Sequence, residues 1–176
     1  MFPVTVIHAK ARAAGLAYLV IGGHAVNFYC EPRATLDVDF LVRRSDESKW
    51  RELLAAEGFK VFNDQQAFLQ FSPPYGIEWR LDLMLVNDST FTKLLAGARS
   101  EQLLGIRTLI PRPEHLIALK LHALKHGHQE RFEKDFGDVI TLTRNSGLDP
   151  KSESFRQLFD QFGTHELYER VLQRLT

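Results

Sequence analysis

The chain has 176 residues, of which 44% are hydrophobic and 25% charged, and its formal net charge is zero. This composition predicts an ordinary globular protein of one domain, or one domain with a small appendage, without the basic excess of a dedicated nucleic-acid binder. The single cysteine, Cys30, excludes an internal disulfide and fits a reducing compartment. No signal-peptide pattern is present and no stretch approaches the about 18 apolar residues of a membrane span, so we expect a cytoplasmic protein with no membrane partner.

The first 112 residues alternate between helical and strand patterns. A short apolar run over 18–21 ends at Gly22-Gly23, and an alternating segment over 36–42 follows a helix that stops before Pro32. Further strands are predicted over 59–62, 67–71, 77–86 and 106–110. Helices are predicted over 5–14, 24–31, 46–57 and 90–98.

From Pro113 onward the patterns are helical, with segments over 113–126, 130–144, 151–162 and 164–175 and Thr164 as an N-cap. Strands with helices followed by helices alone predict an α+β fold, in which a twisted mixed β-sheet flanked by helices precedes a C-terminal helical bundle. We expect residues 1–112 to form the α/β core and residues 113–176 a helical subdomain packed on it.

Two carboxylates share one face of a predicted strand. Asp37 and Asp39 are two residues apart, and the alternation points Leu36, Val38 and Phe40 into the core on the other side. Adjacent carboxylates repel each other unless one is protonated or a cation lies between them, and Mg²⁺ prefers carboxylate oxygens together with substrate phosphates. The alternatives are a polar sheet face or a coincidental Asp-x-Asp.

A glycine pair separates the strand over 18–21 from the helix after it. At such a position Gly22 and Gly23 let backbone N–H groups approach a phosphate, and the helix N-terminus adds a favourable dipole. The simpler interpretation is a plain tight turn. Because the strand with Asp37 and Asp39 follows, the order predicts a phosphate cradle and a metal site at neighbouring strand ends.

The segment GGHAVNFYCEPRATLDVDFLV resembles the signature of the DNA polymerase β-like nucleotidyltransferase superfamily. The resemblance implies the minimal nucleotidyltransferase fold and a third carboxylate on a later strand. IEWRLDLMLV supplies Asp82, whose apolar neighbours mirror those of Asp37 and Asp39. Taken without the other two, Asp82 is equally a charge on a solvated strand edge.

The helical half resembles the AbiEii/MenT-type branch of that superfamily through RPEHLIALKLHALKHG and ERFEKDFGDVITL. That branch carries a Lys and an Asp at the positions of Lys120 and Asp135, and a Thr at the position of Thr35. Its members are toxins of toxin–antitoxin systems or uncharacterised relatives, so a cognate antitoxin is one expected partner. Lys120 lies on an apolar helical stripe, where a buried ammonium needs a partner such as a triphosphate or Asp135. The simpler interpretation is that its side chain snorkels along the edge of the core. Asp138, one turn after Asp135, is an alternative partner.

Three weaker candidates remain. His24 follows the glycines and either contacts a phosphate or caps the helix, and Arg33 either offsets triphosphate charge or lies on the surface. His122 and His126 have a zinc-like i, i+4 spacing, with His115 and His128 near in sequence, but no third ligand is evident.

The resulting hypothesis is a nucleotidyltransferase in which Asp37, Asp39 and Asp82 bind two Mg²⁺ ions and an NTP donates its NMP to an acceptor. Gly22, Gly23 and the following helix hold the β- and γ-phosphates, and Lys120 with Arg33 offsets their charge. Asp135 orients Lys120 or the nucleobase. The acceptor stays open among a tRNA 3′ end, a protein hydroxyl and a small molecule. The alternatives are an inactive nucleotide-binding module of the same fold and a metal-dependent hydrolase that uses the histidines.

Overall fold

The computed structural model describes residues 3–127 and 129–175. These residues form two compact units. The first contains the chain up to Ala25 together with Arg33–Pro111, and the second contains Val26–Pro32 and the chain from Arg112 onward.

A five-stranded mixed sheet forms the first unit. Its strands lie in the order β1-β2-β5-β4-β3; β2 and β5 are parallel, and the other neighbours are antiparallel. The strands are β1 (Tyr18–Ile21), β2 (Asp37–Arg43), β3 (Lys60–Asp64), β4 (Phe68–Ser72) and β5 (Arg80–Val86). A separate antiparallel ribbon is formed by β6 (Arg99–Leu103) and β7 (Ile106–Ile110).

One face of the sheet is apolar because every second residue of its central strands is a large hydrophobe. Val38 and Phe40 on β2 and Leu81 and Leu83 on β5 are at most 2% exposed. Phe40 also packs against Trp50, with ring centroids 6.0 Å apart. Burial of this face anchors the strands, so the alternate residues point to the opposite face.

The helices of the first unit are short. They are α1 (Pro3–Ala13), α2 (Gly22–Tyr29), α3 (Glu47–Ala56) and α4 (Asp88–Ala96). Helix α2 begins at Gly22, two residues before the predicted start, and runs across the boundary between the units. Asn87 caps α4 by accepting a hydrogen bond from the backbone N–H of Thr90.

Two expectations about the first unit are wrong, and one strand was not predicted. Leu36 does not point into the core but is 74% exposed, because β2 begins only at Asp37 and the alternation does not extend before it. Strand β5 begins at Arg80, so residues 77–79 precede it. The sequence patterns also missed β6, since RSEQL lacks the apolar alternation of a half-buried strand.

Four helices of the second unit follow the predicted order closely. They are α5 (Pro113–His126), α6 (Phe132–Asn145), α7 (Glu153–Phe162) and α8 (His165–Leu175). Helix α5 packs on α6 and α7, with Ile117 and Leu121 fully buried. The hydroxyl of Thr164 accepts a hydrogen bond from the N–H of Leu167, which confirms the predicted N-cap. The α+β prediction is confirmed, and none of the helices in the described ranges has the length and apolar character needed to cross a bilayer.

Candidate active site

The three predicted carboxylates share the polar face of the sheet in the first unit. Asp39 on β2 is the register partner of Asp82 on β5, and Asp37 is the partner of Arg80. Neighbouring strands lie about 4.8 Å apart and register partners point to the same face. Asp39 and Asp82 are therefore side by side, with Asp37 two residues earlier on the same face.

Asp82 is held by a short chain of side-chain amides. It is only 5% exposed, and its Oδ2 accepts a hydrogen bond of 2.7 Å from Nε2 of Gln70, its register partner on β4. Oε1 of Gln70 accepts in turn from Nδ2 of Asn63 on β3 at 2.8 Å. Sequence reasoning missed Gln70 and Asn63; the available signal was that Gln70 lies between the apolar residues Leu69 and Phe71.

The glycine pair fits closely against two of the predicted site residues. Gly22 has φ +63°, and a Cβ there would lie 2.0 Å from Oδ2 of Asp39. A Cβ on Gly23 would lie 2.6 Å from Oγ1 of Thr35. Real Cβ atoms do not approach other atoms so closely, so both positions exclude a side chain. The turn thus brings the N-terminus of α2 directly against the Asp39 carboxylate.

His24 and Arg33 complete the predicted residues of the first unit. Burial lowers the pKa of His24, and the nearby negative charge of Asp37 opposes this shift in smaller part. The imidazole is therefore neutral at pH 7 and lies within electrostatic reach of Asp37. Arg33 is partly buried in the loop before β2. Thr35, in the same loop, directs its hydroxyl to the backbone carbonyl of Asp37 at 3.5 Å, a long contact.

The donor set matches a magnesium ion in chemistry, since carboxylate oxygens are the ligands that this ion prefers. Within residues 3–127 and 129–175, however, no group of three or more His, Cys, Asp or Glu side chains is arranged to hold a metal ion. Mg²⁺ in phosphate-transfer sites is commonly held by one or two carboxylates, with waters and substrate phosphates as its other ligands. The pair formed by Asp39 and Asp82 fits that mode of binding.

The second unit contains the remaining predicted residues, in a buried ion-pair cluster. Nζ of Lys120 on α5 lies 2.6 Å from Oδ1 of Asp135 and 2.8 Å from Oδ2 of Asp138, both on α6. The Lys120 side chain is 11% exposed and each aspartate side chain 6%. Lys120 therefore pairs with both candidate partners, and these pairs account for its burial within the unit.

The histidine pair on α5 is less suited to a metal. The rings of His122 and His126 have centroids 4.7 Å apart. Burial lowers the pKa of His122, and the positive charges of His126 and Lys125 lower it further. His128 lies outside the described residues, and the described part of the chain offers no third ligand.

A scan against protein-family models and a search of curated proteins found no match. Solved structures do match. The antibiotic-resistance factor ANT(2'')-Ia in complex with adenylyl-2''-tobramycin aligns over 100% of both chains, with TM-score 0.64 and 14% identity. The lincosamide antibiotic adenylyltransferase LnuA, bound to lincomycin, aligns over 80% of this chain and 94% of its own, with TM-score 0.56 and 14% identity.

A third structural match is an antigenic nucleotidyltransferase-like protein from Paracoccidioides brasiliensis, with TM-score 0.56, 17% identity, and coverage of 98% of this chain and 84% of that one. At these identities the likeness concerns the fold. The chain thus has the nucleotidyltransferase fold, as the sequence predicted. None of the three matched structures is described as a member of the AbiEii/MenT branch, which stays a prediction.

Proposed function

We propose that the protein is a nucleotidyltransferase that transfers an NMP from an NTP to an acceptor hydroxyl at the polar face of its sheet. The observation that carries the proposal is the placement of Asp39. It lies beside Asp82 on the parallel strand pair and directly against Gly22 at the start of α2. Acidic side chains suited to Mg²⁺ and a helix N-terminus suited to a phosphate thus converge on one residue.

The glycine turn would bind the triphosphate. Helix α2 begins at Gly22, so its first backbone N–H groups have no partner within the helix and its dipole is positive at this end. Both features favour the β- and γ-phosphates, and Arg33 in the neighbouring loop would add positive charge. His24, being neutral, would donate or accept a single hydrogen bond without repelling Mg²⁺.

Asp37, Asp39 and Asp82 would hold Mg²⁺, which supplies stabilisation of the negative charge on the attacking and leaving oxygens. The acceptor hydroxyl loses its proton to the Asp82 carboxylate, and its oxygen forms a bond to the α-phosphorus. The bond between the α-phosphorus and the bridging oxygen to the β-phosphate breaks, and pyrophosphate leaves. Gln70 would keep the Asp82 carboxylate oriented throughout.

The AbiEii/MenT assignment, a toxin role and an antitoxin partner stay predictions. So do the roles of Lys120 and Asp135 toward the triphosphate or the nucleobase, because the ion pairs inside the second unit explain the burial of Lys120 without a ligand.

Activity is tested by incubating the protein with each α-labelled NTP, Mg²⁺ and a cell extract. We expect label in an RNA, a protein or a small molecule with the wild type, and no label with Asp39→Asn, which removes charge but little volume. Asp160→Asn, on the exposed surface of α7, is the matched control and should transfer as wild type does. Absence of both transfer and NTP binding in the wild type contradicts the proposal.

The inactive nucleotide-binding module is the second candidate, and it is favoured by the lack of a three-ligand metal cluster within the described ranges. Calorimetry of NTP binding together with an assay of pyrophosphate release separates the two functions. NTP binding that releases no pyrophosphate with any acceptor fraction indicates the module, whereas pyrophosphate release that requires Asp39 indicates the enzyme.

A further inference from the structure

The order of the strands indicates from which side of the sheet an acceptor would reach the site. This inference rests on the proposed function. The glycine turn follows β1, and β1 lies on one side of β2, whereas β5, β4 and β3 lie on the other. Attacking and leaving oxygens are roughly in line during phosphoryl transfer. If pyrophosphate leaves toward the Gly22 side of Asp39, the acceptor enters over β5, β4 and β3. We refer to this part of the polar face as the acceptor side.

The strand register defines two rows of side chains across the acceptor side. The row that includes the carboxylate pair consists of Asp39, Asp82, Gln70 and Asn63. The neighbouring row contains two pairs of register partners, Asp37 with Arg80 and Ser72 with Lys60. Ser72 belongs to this row because it lies two residues after Gln70 on β4 and so shares its face. The second row is more open, since Arg80 and Lys60 are both exposed.

A β-bulge places an aromatic ring next to this second row. The register of β3 against β4 shifts between Val61 and Asn63, so Phe62 is the extra residue. Bulges redirect a side chain from its regular alternation. The Phe62 ring is 51% exposed, and the guanidinium of Arg80 lies 5.4 Å from its centroid. The Arg80 side chain, which starts on β5, thus reaches past β4 to Phe62 on β3.

Two cations lie toward β3 in this row, whereas its carboxylate, Asp37, lies at the other end, on β2. On the polar face, Lys60 and Arg80 are the cations that β3 and β5 contribute around Phe62, and Asp82 is turned to Gln70 in the other row. The nearby Asp64 is the register partner of Leu69, which belongs to the apolar face, and it pairs with Arg51 of α3 at 2.8 Å. It therefore does not neutralise the two cations.

We propose that Phe62 and Arg80 form a binding platform for a nucleotide unit of the acceptor. The nucleobase stacks on the exposed ring of Phe62, and the phosphate pairs with Arg80 and Lys60. Stacking on an aromatic side chain accepts any base, and a guanidinium binds phosphate through several N–H groups. A cationic amino sugar lacks a π face and is repelled by both cations, so the acceptor class is a nucleotide or the end of a nucleic-acid strand.

The platform is tested first by binding without chemistry. The affinity for a short labelled single-stranded RNA is measured by fluorescence anisotropy in the absence of NTP. We expect Phe62→Ala to weaken binding about tenfold and Phe62→Trp to retain it, because only the latter preserves a stacking surface. Phe62→Leu separates stacking from simple apolar contact and should resemble Phe62→Ala. Tyr75→Ala, which removes a fully exposed aromatic residue of the turn before β5, is the control and should bind as wild type does.

The charge component is tested by salt. Arg80→Gln should weaken binding and lower the slope of log affinity against log salt concentration by about one unit. Competition with a nucleoside monophosphate distinguishes the two sources of the ligand. Displacement at similar concentrations indicates a free nucleotide acceptor, and much weaker displacement indicates a strand end.

Three results contradict the platform. Two concern binding: the wild-type protein does not bind the RNA, or wild type and Phe62→Ala bind it equally. The third concerns transfer: the wild type transfers label to an amino sugar, and Arg80→Gln does so equally well or better. NTP binding is measured in parallel for each variant, because Phe62 and Arg80 lie away from the glycine turn and should not affect it. If the platform is contradicted but the wild-type protein binds NTP and transfers the label, the proposed function still holds. Wild-type protein that neither binds nor turns over NTP contradicts both the platform and the proposed function.

Discussion

The side chain of Gln70 has one orientation in which it donates to Asp82, and Asn63 satisfies the amide oxygen in that orientation. An amide group has nearly the same shape when its oxygen and nitrogen are exchanged. Because a carboxylate only accepts hydrogen bonds, the amide nitrogen of Gln70 faces Asp82 and donates to Oδ2 at 2.7 Å, and its Oε1 accepts from Asn63 at 2.8 Å. The reversed amide would place an oxygen against the carboxylate. Two residues on β3 and β4 thereby fix the carboxylate on β5.

Gln70→Ala should lower the rate of transfer about 10–100-fold, as loss of a group that orients a metal ligand commonly does. The physical reason is that the Asp82 carboxylate loses the donor that fixes its orientation. The Mg²⁺ concentration for half-maximal activity should rise, and Mn²⁺ binding, followed by electron paramagnetic resonance, should weaken.

Gln157→Ala, on the exposed surface of α7, serves as the control for Gln70→Ala and should leave both quantities unchanged. If Gln70→Ala reduces only the free energy of unfolding while Mn²⁺ affinity and Mg²⁺ requirement stay at wild-type values, Gln70 has a purely structural role.

Gly22→Ala should destabilise the protein more than Gly15→Ala, although both glycines have a left-handed backbone, with φ +63° and +67°. At Gly15 an added Cβ meets nothing within 4 Å, so the expected loss is only the backbone strain of about 1–2 kcal/mol. At Gly22 the Cβ also overlaps Oδ2 of Asp39, which adds about 1–3 kcal/mol of overpacking and displaces a predicted metal ligand. Urea unfolding gives the two free energies, and equal losses contradict the close contact.

The parts of the fold that the sequence predicted well are those with strong local signals. Strand β1 and helix α5 have the predicted bounds, because Gly22 ends a buried apolar run and Pro113 and Gly127 flank a helical pattern. The strand with Asp37 and Asp39 was predictable because its alternate residues are large hydrophobes. Local signals also explain the error at Leu36, where the alternation was extended one residue beyond the strand.

Relationships between distant segments were not accessible from one sequence. The match of Asp82 to Asp39 came from a resemblance, and only the register of β2 and β5 places the two side chains next to each other. The hydrogen bond from Gln70 depends on the pairing of β4 with β5, which no local pattern specifies. Similarly, the helical spacing placed Lys120 on an apolar stripe but did not decide between Asp135 and Asp138, because that choice depends on how α5 packs on α6.

Lys120→Met should destabilise the protein by about 3–5 kcal/mol, since it leaves two aspartates at 6% exposure without their shared cation. Lys10→Met is the matched control, because Lys10 also pairs with a carboxylate, that of Glu57, but its side chain is 53% exposed. Exposed pairs contribute about 0–1 kcal/mol, so this variant should remain close to wild type. Urea unfolding at pH 7 measures both, and similar small losses show that the buried cluster adds little to stability.

Acidification should destabilise the first unit through His8. Nδ1 of His8 lies 2.7 Å from the hydroxyl of Tyr18. Burial raises the pKa of that hydroxyl to about 12, so Tyr18 stays protonated and shares a hydrogen bond with the neutral imidazole. Burial, and then the charge of Arg12, lower the pKa of His8 below its ordinary value of 6.5. Below pH 6.5 the unfolded chain therefore binds a proton that the folded chain does not, and stability falls with pH until the folded-state pKa is passed. In His8→Gln this contribution is absent, so the loss of unfolding free energy between about pH 7.5 and 5.5 should be smaller than in wild type. Urea titrations at the two pH values measure the difference, and an identical pH dependence in both proteins contradicts the assignment to His8.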